Sequence, residues 1–262
     1  MVRKISLPAA LLAACVTSAA QANPAEGEWT TTFSAGATFA PRATMLPGVS
    51  GALADLGVID PTLAGASATT STGHLAFGDV FRTGPTAGVE MSYGLSSQFE
   101  PFMRFDYEQL GGRNLGLGTV TSGALATPAV ISARFDDLKS SAVTLGARYF
   151  FLPSGALQPF LSGFVGANHT DALRADLAAA ALAVDLGRQT FVPAATRFTA
   201  GAEAGLGYAM SDHSDLRLSL GADYISSQRY LSNALDPLGI ASLAVNDRRW
   251  SFPAALGVSY RF

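Results

Sequence analysis

The carboxy-terminal stretch of the chain reads Trp250-Ser251-Phe252-Pro253-Ala254-Ala255-Leu256-Gly257-Val258-Ser259-Tyr260-Arg261-Phe262. Apolar side chains recur at every second position from Trp250 onward, and the last residue is aromatic. Successive side chains of a β-strand point to opposite faces, so about seven apolar side chains share one face here. At about 3.3 Å per residue, a tilted strand of this length can cross the hydrocarbon layer of a bilayer. The stretch therefore predicts a membrane-spanning strand.

Seven further segments show the same alternation and are bounded by turn residues. Together with the carboxy-terminal stretch, these segments make eight predicted strands. They run approximately over residues 28–39, 81–95, 99–107, 141–151, 157–167, 197–210, 216–224 and 250–262. No charged residue falls on an apolar face in any of them. Lipid contact explains this pattern, because an Arg or Lys at the bilayer midplane costs about 2–4 kcal/mol.

The connections between these segments alternate between short and long. Short connections occupy residues 96–98, 152–156 and 211–215, and long ones occupy approximately residues 40–80, 110–140, 168–196 and 225–248. Short periplasmic turns and longer extracellular loops are typical of outer-membrane barrels. The sequence therefore predicts an all-β fold, an eight-stranded antiparallel up-and-down transmembrane β-barrel with four long extracellular loops.

Aromatic residues gather at both ends of the predicted apolar faces, as they do in interfacial girdles. One end carries Trp29, Tyr93, Phe99, Tyr149, Phe151, Tyr208, Tyr260 and Phe262, and the other carries Phe39, Phe81, Tyr107, Phe198, Tyr224 and Trp250. A soluble β-sandwich or lipocalin-like barrel also has an uncharged buried face. The girdles and the alternating loop lengths favour the transmembrane barrel over these soluble folds.

The face opposite the apolar one carries charges of both signs. It holds Glu90, Glu100, Arg104, Asp106, Glu108, Arg148, Arg197, Glu203, Arg217, Asp223 and Arg261. An eight-stranded barrel is just wide enough for side chains to fill its interior. One hypothesis is a plug of paired, hydrogen-bonded charges. The other hypothesis is that the same network gates the passage of ions or small solutes.

The amino-terminal residues predict an export signal, because a basic start and an apolar run end at small residues before Asn23. We expect residues 1–22 to be a cleaved signal peptide and residues 23–262 to form the outer-membrane β-barrel domain. The only cysteine, Cys15, lies inside the signal, so a mature chain without it has no disulfide. A lipoprotein-type site would instead keep Cys15 as an acylated amino terminus, and the sequence leaves both options open.

Composition argues against several classes of function. The chain is 48% hydrophobic and 14% charged, with a mean hydropathy of +0.27. Outside the signal, no stretch reaches the roughly 18 consecutive apolar residues that a membrane helix needs. A net charge of −3 without a basic run in the sequence argues against nucleic-acid binding.

The three histidines, His74, His169 and His213, are scattered along the chain. With no cysteine expected in the mature chain, they predict no metal site, and we expect no cofactor. None of them belongs to a convincing Ser-His-Glu or Asp-His arrangement, so we expect no enzymatic activity.

The predicted long loops are unusually apolar. Between Asp171 and Gly187, apolar residues fall near helical spacing, so that Asp171 can cap and Gly187 can end a short amphipathic helix. The alternation of Leu182, Val184 and Leu186 equally predicts strands that extend beyond the membrane. The sequence does not decide between the two.

Three stretches resemble the small eight-stranded outer-membrane barrels grouped with the membrane domain of outer membrane protein A. They are Leu-Gly-Ala-Arg-Tyr-Phe at 145–150, Gln-Pro-Phe-Leu-Ser-Gly-Phe-Val-Gly-Ala at 158–167, and Tyr260-Arg261-Phe262. The resemblance implies a location in the outer membrane of a Gram-negative bacterium, in contact with outer-membrane lipid and lipopolysaccharide. It also implies that the outer-membrane assembly machinery recognises the carboxy-terminal strand, with Phe262 as the assembly signal.

We therefore expect a non-enzymatic integral outer-membrane protein that contributes to envelope structure and to cell-surface interaction. Its long loops would meet a host or surface ligand. The alternative function is a narrow pore or channel for small or hydrophobic solutes. The small residues Gly163, Ala200, Ala202 and Ala204 on the outward faces of the fifth and sixth strands motivate this alternative, since they would permit a lateral opening.

Overall fold

A computed structural model describes residues 24, 26–39, 43–152, 154–179, 182, 184–227, 230–240, 243–245 and 248–262. The predicted signal peptide, with Cys15 and the cleavage position before Asn23, lies outside the described residues. No helix within the described ranges is both long enough and apolar enough to cross a membrane.

The described part of the chain is dominated by β-strands. They are β1 (Trp29–Phe39), β2 (Thr44–Leu46), β3 (Ser50–Leu53), β4 (Ala68–Thr72), β5 (Leu75–Ala76), β6 (Gly84–Tyr93), β7 (Phe99–Leu110), β8 (Asn114–Thr121), β9 (Ala129–Phe135), β10 (Leu138–Phe150), β11 (Leu157–Thr170), β12 (Leu173–Ala179), β13 (Val184–Val192), β14 (Ala195–Ser211), β15 (Ser214–Ile225), β16 (Tyr230–Ser232), β17 (Leu243–Val245) and β18 (Arg249–Arg261). A short helix, α1 (Phe77–Val80), and 3₁₀ turns at Leu56–Val58, Pro61–Leu63 and Asp236–Leu238 lie between them.

Eight of these strands form a closed antiparallel barrel in the order β1-β18-β15-β14-β11-β10-β7-β6. The strand β18 closes the barrel on β1, from Thr30 opposite Arg261 to Phe39 opposite Phe252. This confirms the predicted all-β, eight-stranded antiparallel up-and-down barrel. The short connections leave from one end of the barrel, which we call the turn end, and the long connections leave from the other, the loop end.

The prediction of a strand over residues 81–95 is wrong at its start, because β6 begins at Gly84. Phe81 is fully buried and packs between Phe77 and Phe135, with ring centroids 5.8 and 6.5 Å away. Phe81 is therefore not an interfacial aromatic residue. The period-two pattern placed Phe81 on the apolar outer face of a strand. Tertiary packing beyond the barrel end overrides this local pattern.

The predicted long loops are largely folded. Parts of three of them pair into a six-stranded sheet in the order β13-β12-β9-β8-β4-β3. In addition, β2 pairs with β5 and β16 pairs with β17. These ten strands and α1 form a unit beyond the loop end, which we call the cap.

The cap sheet forms because the loops carry a period-two alternation of their own. In β9, Ala129, Ile131 and Ala133 are fully buried, whereas Val130 is 54% exposed. The strand β12 shows the same alternation between buried and exposed positions. One face of the cap sheet therefore packs against a core and the other faces outward.

The helical interpretation of the segment between Asp171 and Gly187 is wrong. The segment contains β12 and the start of β13, so the strand alternative is correct. Gly187 has a φ of +72° and pairs with Leu177 beside a shift in register. Glycine adopts this left-handed backbone without a steric penalty, so Gly187 accommodates a β-bulge and does not end a helix.

The main hydrophobic core of the described residues lies in the cap. Phe135 contacts Phe191, with ring centroids 5.2 Å apart, and thereby extends the row of rings that begins at Phe77 and Phe81. Leu110, the last residue of β7, and Leu138, the first of β10, belong to the same cluster. The cap core therefore packs directly on the mouth of the barrel.

Asp55 organises the turn that connects β3 to β4 in the cap. Its carboxylate accepts hydrogen bonds from the backbone N–H groups of Gly57 at 2.7 Å and Gly65 at 2.8 Å. These hydrogen bonds hold the pKa of Asp55 below its ordinary value. The carboxylate is therefore charged at neutral pH and joins the two ends of this turn.

The barrel itself is polar inside and apolar outside. Outward-facing Phe33, Leu145 and Leu220 are 62%, 61% and 64% exposed, whereas inward-facing Glu100 and Arg148 are 0% and 3% exposed. A water-soluble protein places its charges at the surface and most of its large apolar side chains inside. The barrel shows the opposite distribution.

Candidate functional site: the charged lumen

A cluster of four charges occupies the half of the lumen nearer the turn end. The ladder between β7 and β10 places Glu100 opposite Arg148. The two terminal nitrogens of Arg148 donate to the two carboxylate oxygens of Glu90, at 2.8 and 2.9 Å, and Nη1 also donates to Glu100. From β15, Nη1 of Arg217 lies 3.1 Å from Glu100 and 3.5 Å from Glu90. We call these four residues the lower charge cluster.

A second cluster lies nearer the loop end. Nη1 of Arg104 donates to Oε1 of Glu203 at 2.6 Å across the lumen, and its Nε is 2.9 Å from Oδ2 of Asp106. Ser162 donates from Oγ to the other carboxylate oxygen of Glu203 at 3.3 Å. We call Arg104, Asp106 and Glu203 the upper charge cluster. Every charge in both clusters has an opposite charge within reach, as burial of a charge requires.

The remaining predicted lumen charges lie farther from these clusters. Near the turn end, Arg261 is 3.1 Å from Asp215. Near the loop end, Glu108 is 3.8 Å from Arg249. Asp215 and Arg249 were missed by the sequence reasoning because each lies one residue outside a predicted strand.

The last two predicted lumen charges are Arg197 and Asp223, and they lie in different parts of the lumen. Arg197 is 6% exposed and lies opposite Asn168 in the ladder between β11 and β14. Asp223 lines the cavity at the middle of the lumen. The structure thus places every predicted lumen charge on the inward face, and only some of them in the two clusters.

Four phenylalanine rings that the sequence reasoning missed pack among these charges. They are Phe102, Phe150, Phe160 and Phe164, all nearly or fully buried. The guanidinium carbon of Arg148 lies 5.0 Å from the ring centre of Phe102, and that of Arg104 lies 4.6 Å from Phe164. Such cation–π contacts stabilise a guanidinium group away from water. The sequence did contain the information, since all four rings fall on the inward phase of their strands.

Inward-facing glycines make room for these rings. A Cβ added at Gly201 would lie 2.4 Å from the ring of Phe164, and one added at Gly205 would lie 2.3 Å from the ring of Phe160. Both distances are far below van der Waals contact, so each ring occupies the space that a glycine leaves on the neighbouring strand. Small and large side chains thus alternate to fill the narrow interior.

A cavity of about 90 Å³ remains in the middle of the lumen. The upper charge cluster and Asp223 line it together with Glu90 and Arg148 of the lower charge cluster, and it has room for several water molecules. The lower charge cluster lies on the turn side of the cavity, and the cap core lies beyond its loop side. Within the described residues, the lumen is therefore filled with side chains and is not an open tube.

The predicted interface aromatic residues, with the exception of Phe81, lie on the outer surface of the barrel. Near the turn end, the rings of Trp29 and Tyr93 are 5.1 Å apart, and near the loop end those of Tyr224 and Trp250 are 5.3 Å apart. The backbone N–H of Phe262 donates to the carbonyl oxygen of Trp29 at 3.0 Å. The closing strand is therefore hydrogen-bonded to β1 up to its last residue.

The outer wall around Gly163 is continuous. Residues 157–170 of β11 pair with residues 195–208 of β14 without any shift in register. A lateral opening between these strands requires that ladder to separate. The small residues at this wall are therefore not accompanied by a gap in the backbone pairing.

The histidines lie apart from one another. His74 is hydrogen-bonded to Thr44 at 3.0 Å, and Nδ1 of His169 to Thr196 at 3.0 Å. The other ring nitrogen of His169 is 3.9 Å from Asp171, and both side chains are well exposed. Across the ranges that the structure describes, no three His, Cys, Asp or Glu residues are grouped so that they could hold a metal ion.

No family model and no curated protein matches this chain. Among solved structures, it is similar to Neisserial surface protein A, with 16% identity, a TM-score of 0.43, and coverage of 90% of this chain and 98% of that one. For the outer membrane protein OprG from Pseudomonas aeruginosa the identity is 17% and the TM-score 0.46, over 92% and 98% of the two chains. For Ail, the attachment invasion locus protein of Yersinia pestis, the values are 14% and 0.40, over 91% and 100%. Similarity at this level carries no argument about function.

Proposed function

We propose that this chain is a non-enzymatic integral protein of the outer membrane of a Gram-negative bacterium. In this proposal it contributes to envelope structure and presents the cap at the cell surface. The observation that carries the proposal is the inverted distribution of polarity in the barrel, with paired charges in the lumen and large apolar side chains outside.

Lipid is the environment that suits this exterior. A soluble monomer rarely exposes an apolar patch larger than a few hundred Å². Here apolar side chains are exposed on all eight barrel strands, among them Phe33, Val89, Phe105, Leu145, Val165, Leu206, Leu218 and Leu256. In a bilayer these side chains meet acyl chains, and closure of the barrel leaves no strand edge unpaired.

The height of the apolar surface fits an outer membrane. From Trp250 to Tyr260 the strand β18 advances ten residues, and with a tilt near 40° this corresponds to a rise of about 25 Å. The apolar band of outer-membrane barrels is about 25 Å tall and is flanked by aromatic residues. Trp250 and Tyr260 then lie at the two interfaces of the membrane.

The orientation follows from the lengths of the connections. Short turns face the periplasm and long connections face outward in outer-membrane barrels. The cap is then the extracellular part of the protein, where it can contact a host or surface ligand. Lipopolysaccharide surrounds the barrel, and the assembly machinery recognises the strand that ends in Phe262.

Labelling of single cysteines on intact cells tests both location and orientation. Val130 lies on the outer face of the cap, and Ser97 lies in the turn between β6 and β7. We expect a membrane-impermeant maleimide to label Val130→Cys on intact cells, and to label the matched Ser97→Cys only after the outer membrane is permeabilised. Equal labelling of both variants in intact cells would contradict the proposal.

A narrow pore is the second candidate function, and the charged cavity at the middle of the lumen favours it. The lower charge cluster and the cap core lie on either side of that cavity, so we expect purified protein to be silent in planar bilayers. Discrete conductance steps that scale with the amount of native protein would establish the pore and remove the plug interpretation.

A further inference from the structure

A groove lined by five cationic side chains lies where the cap meets the loop end of the barrel. They are Arg113, Arg134, Lys139, Arg174 and Arg188. Among the described residues, six other arginines are buried in the barrel, and only Arg82 and Arg248 are exposed elsewhere. Most of the exposed positive charge of the described surface is therefore concentrated here, in a chain whose net charge is −3. We call this feature the cationic groove.

Backbone pairing holds these residues in place. The N–H of Phe135 donates to the carbonyl oxygen of Arg113, and the N–H of Asp136 donates to that of Arg174, each at 3.0 Å. The N–H of Asp171 donates to the carbonyl oxygen of Lys139 at 3.0 Å. The groove therefore lies on ordered strand ends, which reduces the entropy lost when a ligand binds.

The acidic residues of the groove neutralise only part of this charge. Asp136 forms an ion pair with Arg188. Asp137 accepts hydrogen bonds from the side chain of Gln109 at 2.7 Å and the N–H of Gly112 at 3.0 Å. Oδ1 of Asp171 lies 3.9 Å from Nε2 of His169.

The other four cationic residues make no ion pair with any described residue; they are Arg113, Arg134, Lys139 and Arg174. Asp176 lies opposite Arg134 and Arg188 in the ladders of the cap sheet but forms no ion pair with either among the described residues, so these four cationic side chains can meet an anion from outside the chain.

Lys139, on the barrel side of the groove, lies at a defined height on the barrel. In the ladder between β10 and β7, Ser141 is opposite Tyr107, and Lys139 is opposite Gln109, two residues farther toward the loop end. Two residues of a strand tilted near 40° correspond to about 5 Å of height. The headgroup layer extends about 5–8 Å beyond the hydrocarbon core on each side. With Tyr107 at the outer interface, Lys139 on the barrel side of the groove lies within the headgroup layer, and the cap strands that carry Arg134, Arg174 and Arg188 continue outward from it.

We propose that the cationic groove binds the phosphate groups of lipid A, the membrane anchor of lipopolysaccharide. This rests on the proposed function, because it requires the loop end to face the outer leaflet. Guanidinium groups match phosphate oxygens in a bidentate geometry, and Lys139 adds a point charge from the barrel side. The groove has a volume of about 780 Å³, which accommodates a phosphorylated sugar.

Binding measurements on purified protein in detergent micelles test this site. The probes are bisphosphorylated lipid A, the same lipid A with its phosphates removed, and inorganic phosphate. The groove variant is Arg134→Gln with Arg174→Gln, and the matched control is Arg82→Gln with Arg248→Gln, which removes the same charge outside the groove. We expect the groove variant to raise the Kd for bisphosphorylated lipid A at least tenfold and the control to leave it within twofold.

The other probes identify the source of the phosphate. We expect dephosphorylated lipid A to bind the native protein weakly. Its Kd should be at least as high as the Kd of the groove variant for bisphosphorylated lipid A. Equal Kd values for the groove variant and the control would overturn the site. Displacement of lipid A by an equimolar amount of inorganic phosphate would show a site for free phosphate and overturn the lipid assignment.

The experiments distinguish an error in the lipid A site from an error in the proposed location of the protein. Binding is measured in micelles and is independent of where the protein lies in the cell. The labelling of Val130→Cys and Ser97→Cys reports location and orientation whether or not the groove binds lipid A. A groove variant that keeps the native labelling pattern but loses lipid A binding supports the site itself.

Discussion

At the scale of single residues, Arg148 joins the two carboxylates of the lower charge cluster. It binds Glu90 through both terminal nitrogens, reaches Glu100, and packs on the ring of Phe102. Together with Arg217 it balances the two carboxylates, so the lower charge cluster is neutral overall. Loss of one member leaves a buried charge without compensation.

Replacement of Arg148 by Met is expected to destabilise the barrel by about 3–5 kcal/mol, because a net negative charge is then buried in the lumen. Urea unfolding of the protein in lipid vesicles measures this difference. In the double variant Arg148→Met with Glu90→Gln, the remaining pair of Glu100 and Arg217 is neutral. We expect the double variant to be more stable than the single one. A single variant as stable as the native protein would show that the cluster contributes little.

Individual contacts of this kind follow only in part from the sequence. The phase of each strand predicts which side chains point inward, and it does so for Glu90, Glu100 and Arg148. It does not predict that Arg104 meets Glu203, because their strands are not neighbours in the barrel and the contact spans the lumen. Such contacts depend on the tilt and diameter of the closed barrel, which no local pattern contains.

At the scale of elements, the barrel strands and the cap strands differ in how well the sequence predicts them. The strand β10 was expected over residues 141–151 and spans Leu138–Phe150. The strands of the cap are shorter, and those in the segment between Asp171 and Gly187 also fit a helical spacing. Alternation over five to eight residues is weak evidence unless a neighbouring strand is known, and one neighbour of β12 is β9, which comes from another loop.

Replacement of Phe135 by Ala tests whether the cap is a folding unit of its own. Phe135 contacts both Phe81 and Phe191 in the cap core, so we expect a loss of about 3–5 kcal/mol in cap stability. Hydrogen exchange would then accelerate in β8, β9 and β12, and remain slow in β11 and β14. The control Val130→Ala, on the exposed face of the same strand, is expected to leave exchange unchanged. Equal acceleration in cap and barrel would show one cooperative unit.

At the scale of the whole molecule, polarity is arranged in three zones. The barrel lumen holds paired charges, the barrel exterior holds apolar side chains, and the cap has a hydrophobic core of its own. The cationic groove lies at the boundary between barrel and cap, where a bilayer would end. This arrangement assigns lipid to the barrel wall and water to the cap.

The central claim is that the apolar wall of the barrel faces lipid, and spin labels test it most directly. In protein whose Cys15 is replaced by Ser, single cysteines at Val143 and Leu145 of β10 carry labels on the barrel wall, and one at Val130 carries a label on the cap. In lipid vesicles, the account predicts that oxygen relaxes the labels at Val143 and Leu145 strongly, whereas a water-soluble nickel chelate relaxes only the label at Val130. Equal access of the nickel chelate to all three labels, in a protein that stays monodisperse without detergent, would contradict the account.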